Sequence, residues 1–304
     1  MFRNLFIFLR NNMNDYCAEE FDDAQLHHFL PSESLKPFIE GYIYFSFPAN
    51  KLCNQYLYPL TNGNLEIYLC LGESCISIKR QHQEIYFKHF LFGIFDFFDQ
   101  PLIKPLTKDA HYSSILIQLK FSASKYLFDI PLSKLQKQFI ELENLWGSKG
   151  KDLKKILQYK IEIQETIQYL NCFFEVFFQS TKVNENYKRL DYILDFCKQK
   201  KGVLTVDELA NHTKLSYRTI HRLFTDEIGV CPKNYLKIIR FNKVCNFINC
   251  SNKVNWSELI YACGYYDQAH FIHDFKSIMK FTPNDFLKHT SGKFYLLHSY
   301  VFES

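Results

Sequence analysis

The chain has 304 residues, 47% of them hydrophobic, which is enough to bury the cores of two domains. Its formal charge is only +4, yet residues 187–289 hold 16 Lys and Arg against 10 Asp and Glu, so a basic C-terminal module sits on a slightly acidic body. No run approaches the roughly eighteen apolar residues of a membrane span, and ten cysteines without one Cys-x-x-Cys pair argue against zinc and disulfide scaffolds and for reduced, buried thiols in the cytoplasm.

In chain order, residues 1–20 read as an N-terminal tail. Its apolar run, Leu5 to Leu9, lies between Arg3 and Arg10 and is followed by Asn11-Asn12-Met13-Asn14-Asp15, not by a small-residue cleavage site. That leaves Met1 or Met13 as the start. Residues 21–150 read as a β-rich sensor or regulatory domain. Phe38 to Phe47 is aromatic and β-branched and closes at Pro48; Thr61-Asn62-Gly63-Asn64 is a turn ahead of Leu65 to Leu71. Ser74 to Lys79 alternates apolar with polar, and Ser114 to Phe121 gives a further strand. Short strands at regular spacing predict a sandwich or barrel. Tyr42, Tyr44, Phe45, Tyr68, Phe92 and Phe95 fit either a ligand pocket or a plain barrel core. His27, His28, His82 and His89 lack metal-ligand spacing, and neither metal nor cofactor is expected.

From Ala123 the pattern turns helical. Asp152 to Gln179 carries Leu153, Ile156, Leu157, Lys160, Ile163, Ile167, Leu170, Phe174 and Phe177 at three- and four-residue steps. This single amphipathic stripe packs either on its own sheet or on a second copy of the chain. Residues 151–182 are thus a helical connector, and the polar Ser180 to Asn186 is a linker.

Residues 183–292 contain one unit twice. Ser216-Tyr-Arg-Thr-Ile-His-Arg-Leu-Phe224, with Gly229 and Pro232 beyond it, recurs fifty-one residues later as Asp267-Gln-Ala-His-Phe-Ile-His-Asp-Phe275, with Lys280 and Pro283. Each copy is a short helix, a turn and a second helix with a polar outer face, which is a helix-turn-helix. In the first, 203–229, Thr205 and Glu208 form a capping box for Val206 to His212, Lys214-Leu215 turns, and Ser216 caps Tyr217 to Ile228. Ile220, Leu223 and Phe224 share one face; Tyr217, Arg218, His221 and Arg222 share the other. Arg can fork two donors onto guanine O6 and N7. A solvated face, or a salt bridge to Asp226 or Glu227, is the alternative for Arg218 and Arg222. Lys233 to Asn249 is a connecting helix about 25 Å long that sets the separation of the two units. In the second, 254–281, Asn255 caps Trp256 to Cys263, Gly264 turns, Tyr265-Tyr266 pack the turn, and Asp267 caps Gln268 to Met279. Phe271 and Phe275 point inward, while Gln268, Ala269, Ile272 and His273 face the groove. Gln suits adenine N6 and N7, and Ala or Ile a thymine methyl. Residues 293–304 are a C-terminal tail.

The pattern Leu209-Ala210, Ser216, Arg218, Arg222, Phe224, Gly229, Pro232, Tyr235, Arg240, then Ala262-Cys263-Gly264-Tyr265, Asp267-Gln268, His270-Phe271, Phe275-Lys276 and Thr282-Pro283, closely resembles the AraC/XylS transcription regulators. The resemblance covers roughly residues 187–290. It implies an α+β chain whose C-terminal domain is an all-α, seven-helix double helix-turn-helix, reading promoter DNA through Tyr217, Arg218, His221, Arg222, Gln268, Ala269 and His273 in successive major grooves. It further implies activation by touching RNA polymerase, and leaves open a small-molecule effector on the N-terminal domain and a homodimer. Three positions depart from the pattern. Lys280 stands where Gly is usual, Ile260 and Cys245 where Ala is usual, and His273 where Arg is common. The N-terminal part is more weakly similar to a sensor-type domain of one branch, through Leu35 to Ile39, Tyr58-Pro59, Asn62 to Ile67, Gly93 and Leu119 to Phe121. An enzyme is not expected. Some members fuse this module to a self-methylating DNA-repair domain, but its four-Cys zinc cluster and its Pro-Cys-His-Arg site are both missing from the sequence. A helical protein-binding module that no longer engages DNA is the remaining alternative.

Overall fold

A computed structural model describes residues 25–52, 63, 65–80, 83–92, 102–128, 139–159, 162–179, 185–249, 254–279 and 281–289. The described residues of the N-terminal half form nine strands: β1 (Gln25–Phe29), β2 (Ile39–Pro48), β3 (Leu65–Cys70), β4 (Cys75–Arg80), β5 (Gln83–Phe87), β6 (His89–Phe92), β7 (Leu102–Leu106), β8 (His111–Leu119) and β9 (Phe139–Glu141). They form an antiparallel sheet in the order β1-β2-β8-β3-β6-β9 and a smaller one in the order β5-β4-β7.

The larger sheet is covered on both faces, which explains why β3 is buried at all six positions and shows no polar alternation. Leu65, Ile67 and Leu69 point one way, into a core shared with helices. Tyr68 and Cys70 point the other way, with Ile43, Phe45, Phe90, Tyr112 and Leu116, onto Ile76, Ile78 and Ile103 of the second sheet. A short polar chain runs through this second core: Tyr112 Oη donates to Tyr68 Oη (3.2 Å), as does Ser114 Oγ (3.3 Å). Of the six aromatic residues singled out in the sequence, Tyr42, Phe45 and Tyr68 are buried in these cores and Tyr44 is partly buried; the side chain of Phe92 and all of Phe95 lie outside the described residues.

Four helices cover the outer face: α1 (Phe121–Leu127), α2 (Leu142–Trp146), α3 (Ser148–Leu157) and α4 (Ile163–Phe178). The stripe predicted as one helix over 152–179 is therefore two. The periodicity survives the break because Leu153 and Leu157 of α3, and Ile167, Leu170 and Phe174 of α4, enter the same core. The stop is tertiary: the Leu157 carbonyl accepts from Gly72 N–H (3.2 Å) in the β3–β4 turn. Residues 180–184 of the predicted linker lie outside the described residues, and residues 185 and 186 already belong to α5.

Seven helices follow: α5 (Glu185–Gln199), α6 (Val206–Thr213), α7 (Tyr217–Leu223), α8 (Pro232–Asn249), α9 (Trp256–Ala262), α10 (Gln268–Met279) and α11 (Pro283–His289). They share one core built on Leu194, Leu209, Phe224, Tyr235, Phe241 and Phe275. Cys245 and Cys263 lie inside it, and burial pushes both thiols up, Cys263 to about 11, so they stay protonated and inert. Cys172 on α4, by contrast, is exposed, so the expected burial of the thiols does not hold throughout. The two halves meet at α5 and α8: Lys198 Nζ pairs with Glu40 at 2.7 Å, and Gly63 lies against Tyr235 and Ile239. Among the described residues no helix is long and apolar enough to cross a membrane, and no His, Cys, Asp and Glu cluster of metal-binding geometry occurs.

Candidate nucleic-acid interface

The first unit is built from local capping chemistry. Thr205 Oγ1 accepts from Glu208 N–H (3.1 Å) while the Glu208 carboxylate accepts from Thr205 N–H (2.7 Å), so two orphan donors at the start of α6 are satisfied reciprocally. The turn that ends α6 puts Lys214 in the left-handed region at φ 56°. Ser216 Oγ then accepts from Thr219 N–H (3.1 Å) and opens α7. The predicted α-helix over 217–228 is not uniform: Phe224–Ile228 is a π turn, closed by Gly229 N–H donating to the Phe224 carbonyl (2.7 Å). Thr225 Oγ1 donates to the His221 and Arg222 carbonyls and so competes with the regular ladder here.

The second unit repeats the scheme with other residues. Asn255 caps α9 by accepting from Glu258 N–H (3.3 Å), and Asp267 caps α10 by accepting from His270 N–H (2.7 Å). Its cap-to-cap distance is one residue longer, and the turn uses Gly264 at φ 71°, where a Cβ would fall 2.5 Å from Val203 Cγ1. Backbone conformation and space both require glycine there. Tyr265 is buried against Phe271, but Tyr266, expected to pack the same turn, is 92% exposed. Ile260 and Cys245, bulkier than the resemblance leads one to expect, are taken up by the core; Lys280 lies outside the described residues.

Each second helix is pinned from behind. Phe224 meets Tyr235 edge-on at 5.4 Å, and Phe275 meets Phe241 edge-on at 5.5 Å; both phenylalanines are fully buried. Tyr235 and Phe241 are six residues apart on α8, about 9 Å of axial rise. The spacing of the two outer faces therefore depends on the angle at which each helix leaves α8 and not only on the length of that rod.

All seven residues singled out in the sequence lie on the opposite, solvent side. Tyr217, Arg218, His221 and Arg222 are exposed on α7, and Gln268, Ala269 and His273 on α10, with Ile272 half-buried between the last two. Tyr217 stacks on His221 at 6.3 Å. Neither Arg218 nor Arg222 forms an ion pair among the described residues; the Asp226 carboxylate lies 3.3 Å from Thr225 Oγ1. On α10 a shallow, largely apolar concavity runs along Ala269, Ile272, His273, Lys276 and Ser277. Sequence reasoning passed over Asp274. It sits on the buried side of α10, 6% exposed, with Lys237 and Arg240 of α8 at 2.9 and 3.2 Å. A buried carboxylate in an otherwise apolar helix face was the available signal.

Residues 209–289 match the family model described as a helix-turn-helix domain. The C-terminal segment is a helix-turn-helix domain. Over 86 residues the chain is 30% identical to the HTH-type transcriptional activator RhaS of Escherichia coli O139:H28 (strain E24377A / ETEC), a match covering 28% of this chain and 31% of that protein. RhaS of Escherichia coli O9:H4 (strain HS) matches over the same length at 29% identity. The chain thus spans about a third of the length of these curated relatives. Among solved structures, an apo ToxT variant from Vibrio cholerae strain SCE256 aligns over 81% of this chain and 97% of its own, at 14% identity and a TM-score of 0.46. The AraC-like transcriptional activator CuxR aligns over 79% of this chain and 89% of its own, at 14% identity and a TM-score of 0.26.

Proposed function

We propose that the protein is a sequence-specific regulator of transcription, an activator, that reads duplex promoter DNA through α7 and α10 in successive major grooves. One observation supports this above others: the outward residues of two capped helices are exposed while their inward residues share a single core. Tyr217, Arg218, His221 and Arg222 read one stretch of bases, and Arg218 and Arg222 supply its firm donors. Gln268, Ala269 and His273 read the other, with apolar contact to thymine from Ala269.

In this reading residues 21–150 form the regulatory domain, 151–182 the helical connector and 183–292 the DNA-binding domain. The protein works in the cytoplasm as a non-catalytic switch, touches RNA polymerase when bound, and responds to a small-molecule effector on the β-rich domain, with a homodimer as the assembled form. Support for an effector route is the seating of Gly63 on α8 and of Glu40 on Lys198 of α5, since a change in the β-rich half reaches the helix that carries both readers and its neighbour. The test is a gel shift of the full chain on promoter fragments at 50 and 200 mM salt. Neutralising about six phosphates predicts an affinity loss on the order of a thousandfold between the two conditions. Binding that ignores salt, or no binding to any fragment, refutes the proposal.

A further inference from the structure

The second reading helix is tied to α8 by charge; among the described residues the first has no such tie. Asp274 Oδ1 stands 2.9 Å from Lys237 Nζ, and its Oδ2 accepts from the Arg240 guanidinium at 3.2 Å. The two cations are three residues apart, on one face of α8, and both side chains are 16% exposed. Arg240 also lies over the ring of Tyr265 at 5.0 Å, in the turn before α10. One turn further along α8, Lys243 donates to the Ala262 carbonyl at the end of α9. His270 Nε2 flanks the carboxylate at 3.8 Å. In the first unit, fifty-one residues earlier, the place of Asp274 is taken by Leu223, a half-buried apolar residue.

The aromatic contacts that pin each helix orient it only weakly, because the apolar burial that dominates them has no direction. Charge-assisted hydrogen bonds do have direction. One carboxylate gripping two positions on successive turns of α8 fixes how α10 crosses it. We propose that Asp274, through Lys237 and Arg240, is a positioning residue that sets the angle between the two reading helices and hence which spacing of two half-sites the protein accepts. This rests on the DNA-reading function proposed above.

The experiment starts from duplexes that the full-length chain selects from a randomised pool. One base pair is then inserted or removed between the two protected segments, shifting one segment by about 3.4 Å and about 35° around the axis. The unaltered protein is expected to lose roughly tenfold in affinity at each step. Asp274→Asn keeps the shape and removes the charge, and Lys237→Gln removes one partner. Both are expected to bind the altered duplexes within about threefold of the selected one, a flattened spacing preference. Affinity that falls equally on every spacing, with the original ratio kept, makes Asp274 a stabilising contact only and overturns the inference. Melting curves come first, and if Asp274→Asn does not fold, the spacing ratio of Lys237→Gln decides. An unaltered protein that selects no duplex refutes the DNA-reading function itself, an outcome distinct from an unchanged ratio.

Discussion

Replacing Phe275 with Ala tests whether the buried side of α10 is what holds the second reading helix in place. The ring is fully buried and meets Phe241, Phe271 and Phe286 at 5.5, 5.7 and 5.7 Å, all near edge-on. Truncating a buried phenylalanine costs about 3–5 kcal/mol, and the lost ring pairs, about 0.5–1.5 kcal/mol each, put this site at the upper end. Against a total stability of about 5–15 kcal/mol that loss is a large fraction. With a urea slope of about 1–3 kcal/mol per molar, a loss of about 4–5 kcal/mol lowers the midpoint by about 1.3–5 M. Trp256 lies 5.7 Å from Phe271 and reports this core by fluorescence once Trp146, in the other half, is changed to Phe in both proteins. His273→Ala, two residues away on the exposed side, serves as the control and should stay within about 0.5 kcal/mol of the parent. A midpoint shift below about 0.5 M for Phe275→Ala would refute the assigned packing.

Arg218→Ala and Arg222→Ala should each weaken binding to a selected duplex by about 1–3 kcal/mol while leaving the melting curve unchanged, because both side chains are exposed and have no ion-pair partner among the described residues; equal affinity in both variants removes them from the reading surface. Thr205→Ala deletes half of the capping box and should lower stability by about 1 kcal/mol, read as a reduced urea midpoint. Lys214→Gly relieves a left-handed, non-glycine residue and should raise stability by about 0.5–1 kcal/mol; a fall in the midpoint would mean that the lysine stem contributes more than its backbone costs.

Most of the helical half was legible because its signals are local. Thr205, Ser216, Asn255 and Asp267 each cap the helix their residue type announces, and the inward aromatics follow a 3.6-residue period. What escaped was set by contacts distant in sequence. The end of α3 depends on Gly72, eighty-five residues before Leu157, so periodicity alone joined two helices into one. The π turn at Phe224 depends on a threonine hydroxyl drawing two carbonyls, which no pattern of apolar residues encodes. Tyr266 was expected to pack because its neighbour Tyr265 does, yet only one of two adjacent side chains ahead of a cap can face the core.

The two units share caps and inward phenylalanines but differ at Asp274 and Leu223 and on their outward faces, and the differences compensate. The first presents Arg218 and Arg222, whose forked donors carry their own geometry and tolerate some freedom in the helix behind them. The second presents Gln268, Ala269, Ile272 and His273 without an arginine. Apolar contact with a thymine methyl falls off within a fraction of an ångström and has no direction, so it discriminates only if the helix arrives already aligned. In the proposed reading, the buried Asp274 grip on α8 provides that alignment, at the cost of desolvating three charges. The same logic explains why Leu223 suffices at the matching place in the first unit: a helix whose side chains find their own register does not require one imposed from behind.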